Sequence, residues 1–177
     1  MRQLFLFEKD EHNNVVTTDN NQGLREVVRW KLFVDGASRN NPGLSGAGLC
    51  IEKNGLMAVQ KGFFLGIKTN NQAEYLALLL GAFFLEPLVN IGDSVEVISD
   101  SELLVRQING HYKVKNLLLK PLHMLACIEI KRLGAKIFHT LRNGNQDADA
   151  MANKGLHLKI APPVDFIAKL NKYDISF

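Results

Sequence analysis

Cysteine is scarce in this sequence, and its cysteines do not form a recognisable disulfide or metal motif. Among 177 residues there are two, Cys50 and Cys127, and neither belongs to a CxxC pair. This scarcity excludes a disulfide framework and argues against a structural zinc site. We therefore expect a reducing compartment, the cytoplasm, and two small buried apolar side chains at these positions.

Long hydrophobic runs are also missing. The N-terminal apolar run LFLF is too short for a secretory signal, and the apolar residues 75–85 are closed by Glu86 and Pro87. A helix that crosses a bilayer needs about 20 apolar residues. We expect no membrane partner for this chain.

Charge of one sign does not dominate either. The chain has 21 basic and 18 acidic residues and a formal net charge of +3. A polyanionic partner is compatible with this balance but is not required by it. With 46% hydrophobic and 22% charged residues, the composition is that of a globular protein, and the length suits one domain with short extensions.

The alternation of apolar and polar residues predicts three antiparallel strands followed by helices and two further strands. The hairpin dipeptide Asn54-Gly55 separates the second strand from the third. The predicted strands are residues 31–35, 47–53, 57–65, 95–99 and 135–139, and the predicted helices are residues 71–85, 102–108, 117–133, 146–158 and 164–171. Thr69 or Asn70 would cap the first helix, Ser101 the second and Asn145 the fourth.

This order of elements predicts an α/β fold. Three antiparallel strands and two parallel crossovers give a mixed five-stranded sheet flanked by helices. We predict an N-terminal extension at residues 1–29 with short strands at LFLF and VVTT, a main domain at residues 30–158, and a peripheral C-terminal appendage at residues 159–177.

Four acidic residues stand at the ends of predicted elements. Asp35 ends the first strand and Asp100 ends the fourth, while Glu74 and Asp149 lie in the first turns of two helices. If the crossover returns the fourth strand beside the first, Asp35 and Asp100 meet at one edge of the sheet. Each acid alone has a simpler interpretation as a capping, turn or helix-dipole residue, but four together at one edge weaken it.

A cluster of carboxylates predicts hard-cation chemistry. Neighbouring carboxylates repel each other and raise each other's pKa values unless cations neutralise them. Mg²⁺ and Mn²⁺ prefer oxygen ligands, and two such ions about 3.5–4 Å apart can stabilise the attacking and leaving oxygens of a phosphodiester displacement.

Four segments carry a family resemblance. VDGASRNNPG, TNNQAEYLALL, VISDSELLVRQING and NQDADAMAN, in that order, resemble the four signature blocks of ribonuclease H type 1. GHYKVKN after the third block is characteristic of its archaeal and actinobacterial-like branch, and the resemblance covers residues 31–157. It implies the family's mixed sheet and endonucleolytic hydrolysis of the RNA strand of RNA–DNA hybrids, which leaves 5′-phosphate and 3′-hydroxyl ends. In some members of the branch, double-stranded RNA is also cleaved.

The resemblance also implies roles for the acids. Asp35 would bridge two Mg²⁺ or Mn²⁺ ions, Glu74 and Asp100 would complete one metal site, and Asp149 the other. From the residues alone, Asp147 and Asp149 both qualify as acids in the first turns of the last helix. The family spacing selects Asp149, which leaves Asp147 a helix-dipole role.

Positions around the acids match substrate-binding positions of the family. Asn41 and Asn70 match residues that contact ribose 2′-hydroxyls and the minor groove, and Thr69 matches a phosphate-binding position. Turn and cap chemistry would explain the same residues. Lys113 and Lys115 belong to a basic and aromatic patch, with Arg106, His111 and Tyr112, that could hold phosphates; a solvated surface explains the patch equally well.

The chain departs from the family pattern in three places. Glu102 stands where the family has a glutamine that hydrogen-bonds in the minor groove, so base preference there is open. Bacterial members carry a histidine in the loop before the last aspartate; we favour Arg142 over His139 for the corresponding catalytic role. The tryptophan-rich basic protrusion of some bacterial members is absent.

Three hypotheses follow. The leading one is a two-metal, monomeric ribonuclease H. The second is a catalytically silent RNA- or hybrid-binding module on the same fold, although such a module does not need four repelling acids. The third is a DNA exonuclease or resolvase of the wider superfamily, which fits less well because the first strand lacks a DxE pair.

Overall fold

The computed structural model describes residues 26–177, and their five strands form one mixed sheet in the order β3-β2-β1-β4-β5. β1 and β2, and β2 and β3, pair antiparallel, whereas β4 runs parallel to both β1 and β5. The predicted α/β class and sheet are therefore confirmed. The strands are β1 Arg29–Arg39, β2 Gly43–Lys53, β3 Leu56–Lys68, β4 Ser94–Ser99 and β5 Lys136–His139.

Every helix predicted within residues 26–177 is present, with small differences in its bounds. The helices are α1 Asn70–Leu85, α2 Glu102–Ile108, α3 Lys120–Arg132, α4 Gln146–Leu158 and α5 Val164–Asn171. Thr69, not Asn70, is the N-cap of α1 and forms a capping box with Gln72. α3 begins later than predicted because Pro121 occupies its first turn, where a missing N–H costs nothing.

The first strand is longer than predicted, so the expectation that Asp35 ends it is wrong. β1 continues to Arg39 because β2 pairs with it as far as Arg39↔Leu44. The parallel pairing of β1 with β4 ends earlier, and its last register pair is Val34↔Ser99. Asp35 is therefore the first β1 residue beyond the parallel part of the sheet.

Glycines allow helices to lie close against both faces of the sheet. A Cβ at Gly48 would lie 2.0 Å from the carbonyl oxygen of Ala148 in α4, and one at Gly81 in α1 would lie 2.8 Å from the Leu32 side chain in β1. Asp35 is opposite Gly48 in register and so shares the α4 face, whereas Leu32, in the alternating position, faces α1. β2 begins at Gly43, before its predicted start at residue 47, because it pairs with β1 as far as Arg39↔Leu44.

The C-terminal segment packs onto the core and is less peripheral than expected. Phe166 and Leu170 of α5 are fully buried, and Lys169 contacts the buried carboxylate of Glu129 at 3.0 Å. The domain limits at residues 30 and 158 stay predictions. The short strands predicted at LFLF and VVTT lie outside the described residues.

Two expectations from composition concern the burial of the cysteines and helices that could cross a membrane. Cys50 is buried, but Cys127, within α3, is only partly buried. Across residues 26–177, no helix has the length and apolar character needed to cross a bilayer.

Candidate active site

The ends of the parallel strand pair bring Asp35 and Asp100 together. Each follows one member of the last register pair, Val34↔Ser99, so the two acids lie side by side where the parallel pairing ends. They line a cavity of about 590 Å³ that also receives side chains from the starts of α1, α2 and α4. Its polar and charged lining residues include Asp35, Ser38, Asn70, Glu74, Asp100, Ser101, Glu102, Arg142, Asn143, Gln146 and Asp149.

Glu74 reaches this cavity because the residue after Asp35 is glycine. A Cβ at Gly36 would lie 2.2 Å from the backbone nitrogen of Glu74 and 2.2 Å from the carbonyl carbon of Ala73. Any other residue at position 36 would push the first turn of α1 away from β1. The Asp-Gly pair thus places a carboxylate on the strand and admits a second carboxylate from the helix.

Burial and mutual repulsion raise the pKa of two of these acids. Burial raises the pKa of Asp35 to about 7, with smaller contributions from the charges of Asp100 and Asp149, while Arg142 opposes the rise. Burial, then the charges of Asp35 and Asp100, raises the pKa of Glu74 to about 9. Asp100 and Asp149 are therefore close enough to Asp35, and Asp35 and Asp100 close enough to Glu74, for their charges to raise the pKa values of these two buried acids.

The donor set fits hard divalent cations. The Oε2 atom of Glu74 is buried and has no hydrogen-bond partner among residues 26–177, which is costly for a carboxylate oxygen unless a cation or proton satisfies it. Among residues 26–177, no group of three or more His, Cys, Asp or Glu residues forms a metal-holding cluster. The acids therefore line the cavity but are not close enough together to surround one ion. Repelling carboxylates are expected to stay apart until a cation draws them together.

Asn145 contributes to the site in a way that the sequence did not reveal. Its predicted role was the N-cap of α4, but its side chain makes no capping hydrogen bond. Instead, the side-chain amide donates to Asp100 Oδ1 and to the Val34 carbonyl oxygen, both at 2.9 Å. The side chain is buried, and its own Oδ1 has no hydrogen-bond partner within the described part of the chain. No local pattern distinguishes such an asparagine from an ordinary cap.

Arg142 lies at the mouth of the cavity. Its Nε is 3.9 Å from Asp100 Oδ2, and its side chain is 97% exposed. It belongs to a short 3₁₀ turn, Arg142–Gly144, between β5 and α4. His139, the alternative considered for this role, is the exposed last residue of β5 and is not among the residues that line the cavity.

The two neighbouring aspartates of α4 face different cavities. Asp149 lines the large cavity with Asp35, Glu74 and Asp100. Asp147 lines a separate cavity of about 220 Å³ that also contains Cys50. Positions two apart on a helix differ by about 200° around its axis, so only one of the pair can face the acids.

The predicted substrate-binding residues fall into two groups. Asn70 and Glu102 line the cavity. Asn41 is outside it but accepts a hydrogen bond from the backbone nitrogen of Asn70 at 3.0 Å, which ties the β1–β2 turn to the start of α1. The Thr69 hydroxyl accepts from the Gln72 backbone nitrogen at 3.3 Å, so the cap interpretation holds for it.

The basic and aromatic patch lies beside the cavity. Lys113 and Lys115 are exposed in the segment between α2 and α3 and do not line the cavity. Arg106 donates from Nε to the Glu102 carboxylate at 2.7 Å, and its guanidinium carbon is 5.2 Å from the Tyr112 ring centroid. The positive charge of Arg106 is therefore paired with Glu102.

Comparisons with known proteins point to one family. Residues 33–155 match a family model described as reverse transcriptase-like. The chain is 34% identical over 131 residues to ribonuclease HI of Halobacterium salinarum, which covers 72% of this chain and 64% of that protein. It is 30% identical over 164 residues to ribonuclease H of Nitrosomonas eutropha, which covers 79% of this chain and 97% of that protein.

A solved structure gives the same likeness in three dimensions. The crystal structure of LC11-RNase H1 in complex with an RNA/DNA hybrid superposes with a TM-score of 0.68 at 32% identity, covering 73% of this chain and 97% of that one. A bifunctional protein of Mycobacterium tuberculosis also matches, at 33% identity, but only over 35% of its length. This chain thus spans less than two thirds of the length of the halobacterial and mycobacterial relatives.

Proposed function

Because this chain belongs to the ribonuclease H type 1 family, we propose that it hydrolyses the RNA strand of RNA–DNA hybrids. The observation that carries the proposal is the set of four carboxylates, from β1, α1, β4 and α4, around one cavity. In a catalytically silent binding module on this fold, the repulsion between these carboxylates would destabilise the protein and no reaction would need the acids.

Divalent-metal dependence is general for the family, and the residues of this chain suit it. We propose that Asp35, Glu74, Asp100 and Asp149 hold two Mg²⁺ or Mn²⁺ ions, with Asp35 shared by both. When bound, such ions would lower the pKa of an attacking water and stabilise the charge on the leaving oxygen.

The protein's own groups position these acids and the substrate. Asn145 fixes one oxygen of Asp100 by a charge-assisted hydrogen bond and leaves the other oxygen available. Arg142, exposed at the mouth of the cavity, is placed to hold a phosphate of the RNA strand and to shield the charge of Asp100. Such positioning of a carboxylate and a phosphate before reaction lowers the entropic part of the barrier.

Selection for an RNA strand would come from the asparagines at the cavity rim. Asn70 lines the cavity, and Asn41 braces its backbone. An amide can both donate to and accept from a ribose 2′-hydroxyl, the group that distinguishes RNA from DNA. Double-stranded RNA presents the same hydroxyls in a similar A-form groove, so we propose that it is cleaved as well, more slowly.

The test is cleavage of labelled RNA–DNA hybrid, double-stranded RNA and double-stranded DNA of one sequence, each with Mg²⁺, Mn²⁺ or EDTA. We expect metal-dependent cleavage of the RNA strand in the hybrid, slower cleavage of double-stranded RNA and none of double-stranded DNA. Hybrid binding without cleavage under all metal conditions would favour the silent module. Unimpaired cleavage in EDTA would exclude the metal mechanism.

We also propose that the chain acts as a cytoplasmic monomer. All four acids of the site come from one chain, and the two cysteines are not paired with each other. Light scattering behind a sizing column would test whether the chain is a monomer. Fractionation of expressing cells would test whether it is cytoplasmic.

A further inference from the structure

Glu102 is a carboxylate at the substrate cavity that has no place among the proposed metal ligands. It is the first residue of α2, lines the cavity with Asp100 and Asn70, and has a side chain 59% exposed. A free carboxylate at this position would repel the phosphates of a nucleic acid. Its presence in the cavity wall calls for a substrate group that a carboxylate can bind.

The carboxylate is held in place by a built arrangement. Arg106, one turn further along α2, donates from Nε to Glu102 at 2.7 Å, and its guanidinium lies over the Tyr112 ring at 5.2 Å. An exposed pair at this spacing contributes little to folding stability. What the pair does provide is a neutralised carboxylate with a restricted orientation.

The hydrogen-bonding capacity of a carboxylate determines which base edges it can recognise. An ionised carboxylate only accepts hydrogen bonds, whereas a glutamine amide donates and accepts. An enzyme that recognises ribose 2′-hydroxyls faces the minor groove of the hybrid. In the minor groove, A·T pairs present only acceptors at their base edges, and the one base-edge donor is the N2 amino group of guanine.

We propose that Glu102, held by Arg106, is a specificity residue that favours hybrids with a guanine at one fixed minor-groove position beside the cleaved phosphate. This inference rests on the proposed hydrolysis of hybrids. Glu102 accepts a hydrogen bond from the guanine N2 amino group, and acceptors of an A·T or A·U pair at the same position are disfavoured. The preference concerns one amino group and not the overall G·C content.

The experiment uses pairs of hybrids that differ by that amino group. Cleavage sites are first mapped on a hybrid library with one randomised segment. Inosine then replaces guanine at the preferred position, which removes the amino group, and 2,6-diaminopurine replaces adenine at that position in a poor site, which adds it. Each strand is substituted separately. The proteins are wild type, Glu102→Gln and the control Glu96→Gln, which also removes one exposed carboxylate but lies on β4 away from the cavity.

For the wild type and Glu96→Gln we expect inosine to slow cleavage at that site by at least about fivefold, and diaminopurine to speed it by a similar factor, as for one groove contact. Glu102→Gln should lose most of both effects and cleave A·T-containing sites better. If the wild type cleaves all these hybrids at equal rates, or if Glu102→Gln raises every rate uniformly, the inference is wrong while the proposed hydrolysis stands. If the unmodified hybrid is not cleaved at all, the proposed function itself fails, and this inference with it.

Discussion

Asn145 and Asp100 are joined by a hydrogen bond of 2.9 Å, in which the buried side-chain amide donates to one carboxylate oxygen. The same amide donates to the carbonyl oxygen of Val34, also at 2.9 Å. One side chain therefore links the end of β4, the end of the parallel part of β1 and the start of α4. Asp100 is therefore held in position by this link as well as by the sheet.

The first prediction concerns this link. Asn145→Ala removes both hydrogen bonds and leaves a buried carbonyl oxygen without its donor, so we expect a loss of about 1–3 kcal/mol in the free energy of unfolding. Because Asp100 would no longer be oriented, the Mg²⁺ concentration that gives half-maximal cleavage should rise about 10–100-fold. Urea unfolding and Mg²⁺ titrations of cleavage measure the two effects.

Asn153→Ala is the matched control for that change. Asn153 also lies on α4, but its side chain donates only to the Asp149 carbonyl oxygen, at 3.0 Å and at an exposed position. Its removal should change stability and Mg²⁺ dependence little. An Asn145→Ala variant that is less stable yet has an unchanged Mg²⁺ dependence would limit Asn145 to a structural role.

The second prediction concerns Asp35. Asp35→Asn keeps the shape of the side chain but removes the negative charge that the two proposed metal ions share. The cleavage rate should therefore fall by several orders of magnitude with the fold retained. In EDTA the variant should be at least as stable as the wild type, because a neutral amide relieves the repulsion from Asp100 and Asp149. Near-normal turnover would remove Asp35 from the mechanism.

The third prediction separates the two aspartates of α4. Asp149→Asn should greatly slow cleavage at ordinary Mg²⁺ concentrations, because Asp149 lines the acidic cavity. Asp147→Asn should leave cleavage little changed and cost only a helix-dipole contribution, on the order of 0.3–1 kcal/mol, because Asp147 lines a different cavity. Rates measured for both variants over a range of Mg²⁺ concentrations decide the point. The reverse pattern would mean that the start of α4 is rotated from its position here.

The fourth prediction is the pH dependence of stability without metal. The folded-state pKa of Asp35 is raised from 3.8 to about 7 and that of Glu74 from 4.5 to about 9, so the folded state binds more protons than the unfolded state between these limits. The stabilisation from both groups is therefore complete below about pH 4 and is lost as the pH rises through 7 and then 9. We expect the free energy of unfolding in EDTA to fall over this range.

Urea unfolding in EDTA at a series of pH values measures this dependence. The Asp35→Asn variant cannot lose the proton in question, so its stability relative to the wild type should rise from about pH 4 and level off above about pH 7. Saturating Mg²⁺ should reduce the difference at high pH, because bound cations favour the ionised carboxylates. A pH-independent difference between the two proteins would contradict the raised pKa of Asp35.

The sequence by itself determined the order of elements and the mixed sheet. It also predicted Asp35, Glu74 and Asp100 as members of the site, whereas the residues alone left the fourth acid open between Asp147 and Asp149. Strand and helix periods, the Asn54-Gly55 hairpin and the caps at Thr69 and Ser101 are local signals, and they act over a few residues whatever the rest of the chain does. The four acids were noticed in advance because each stood at a predicted end of an element, although β1 continues past Asp35. Their convergence then followed from the handedness of the crossover.

Only the tertiary structure decided how these elements meet. β2 begins four residues before its predicted start, at a segment with little strand propensity, because it pairs with β1 there and α4 packs against Gly46 more closely than a side chain would allow. Which of Asp147 and Asp149 faces the acids depends on the rotation of α4, and that rotation is set by packing on the sheet. The bond from Asn145 to Asp100 joins residues 45 positions apart. Contacts over such distances leave no trace in local patterns, because they form only after the sheet has brought the segments together.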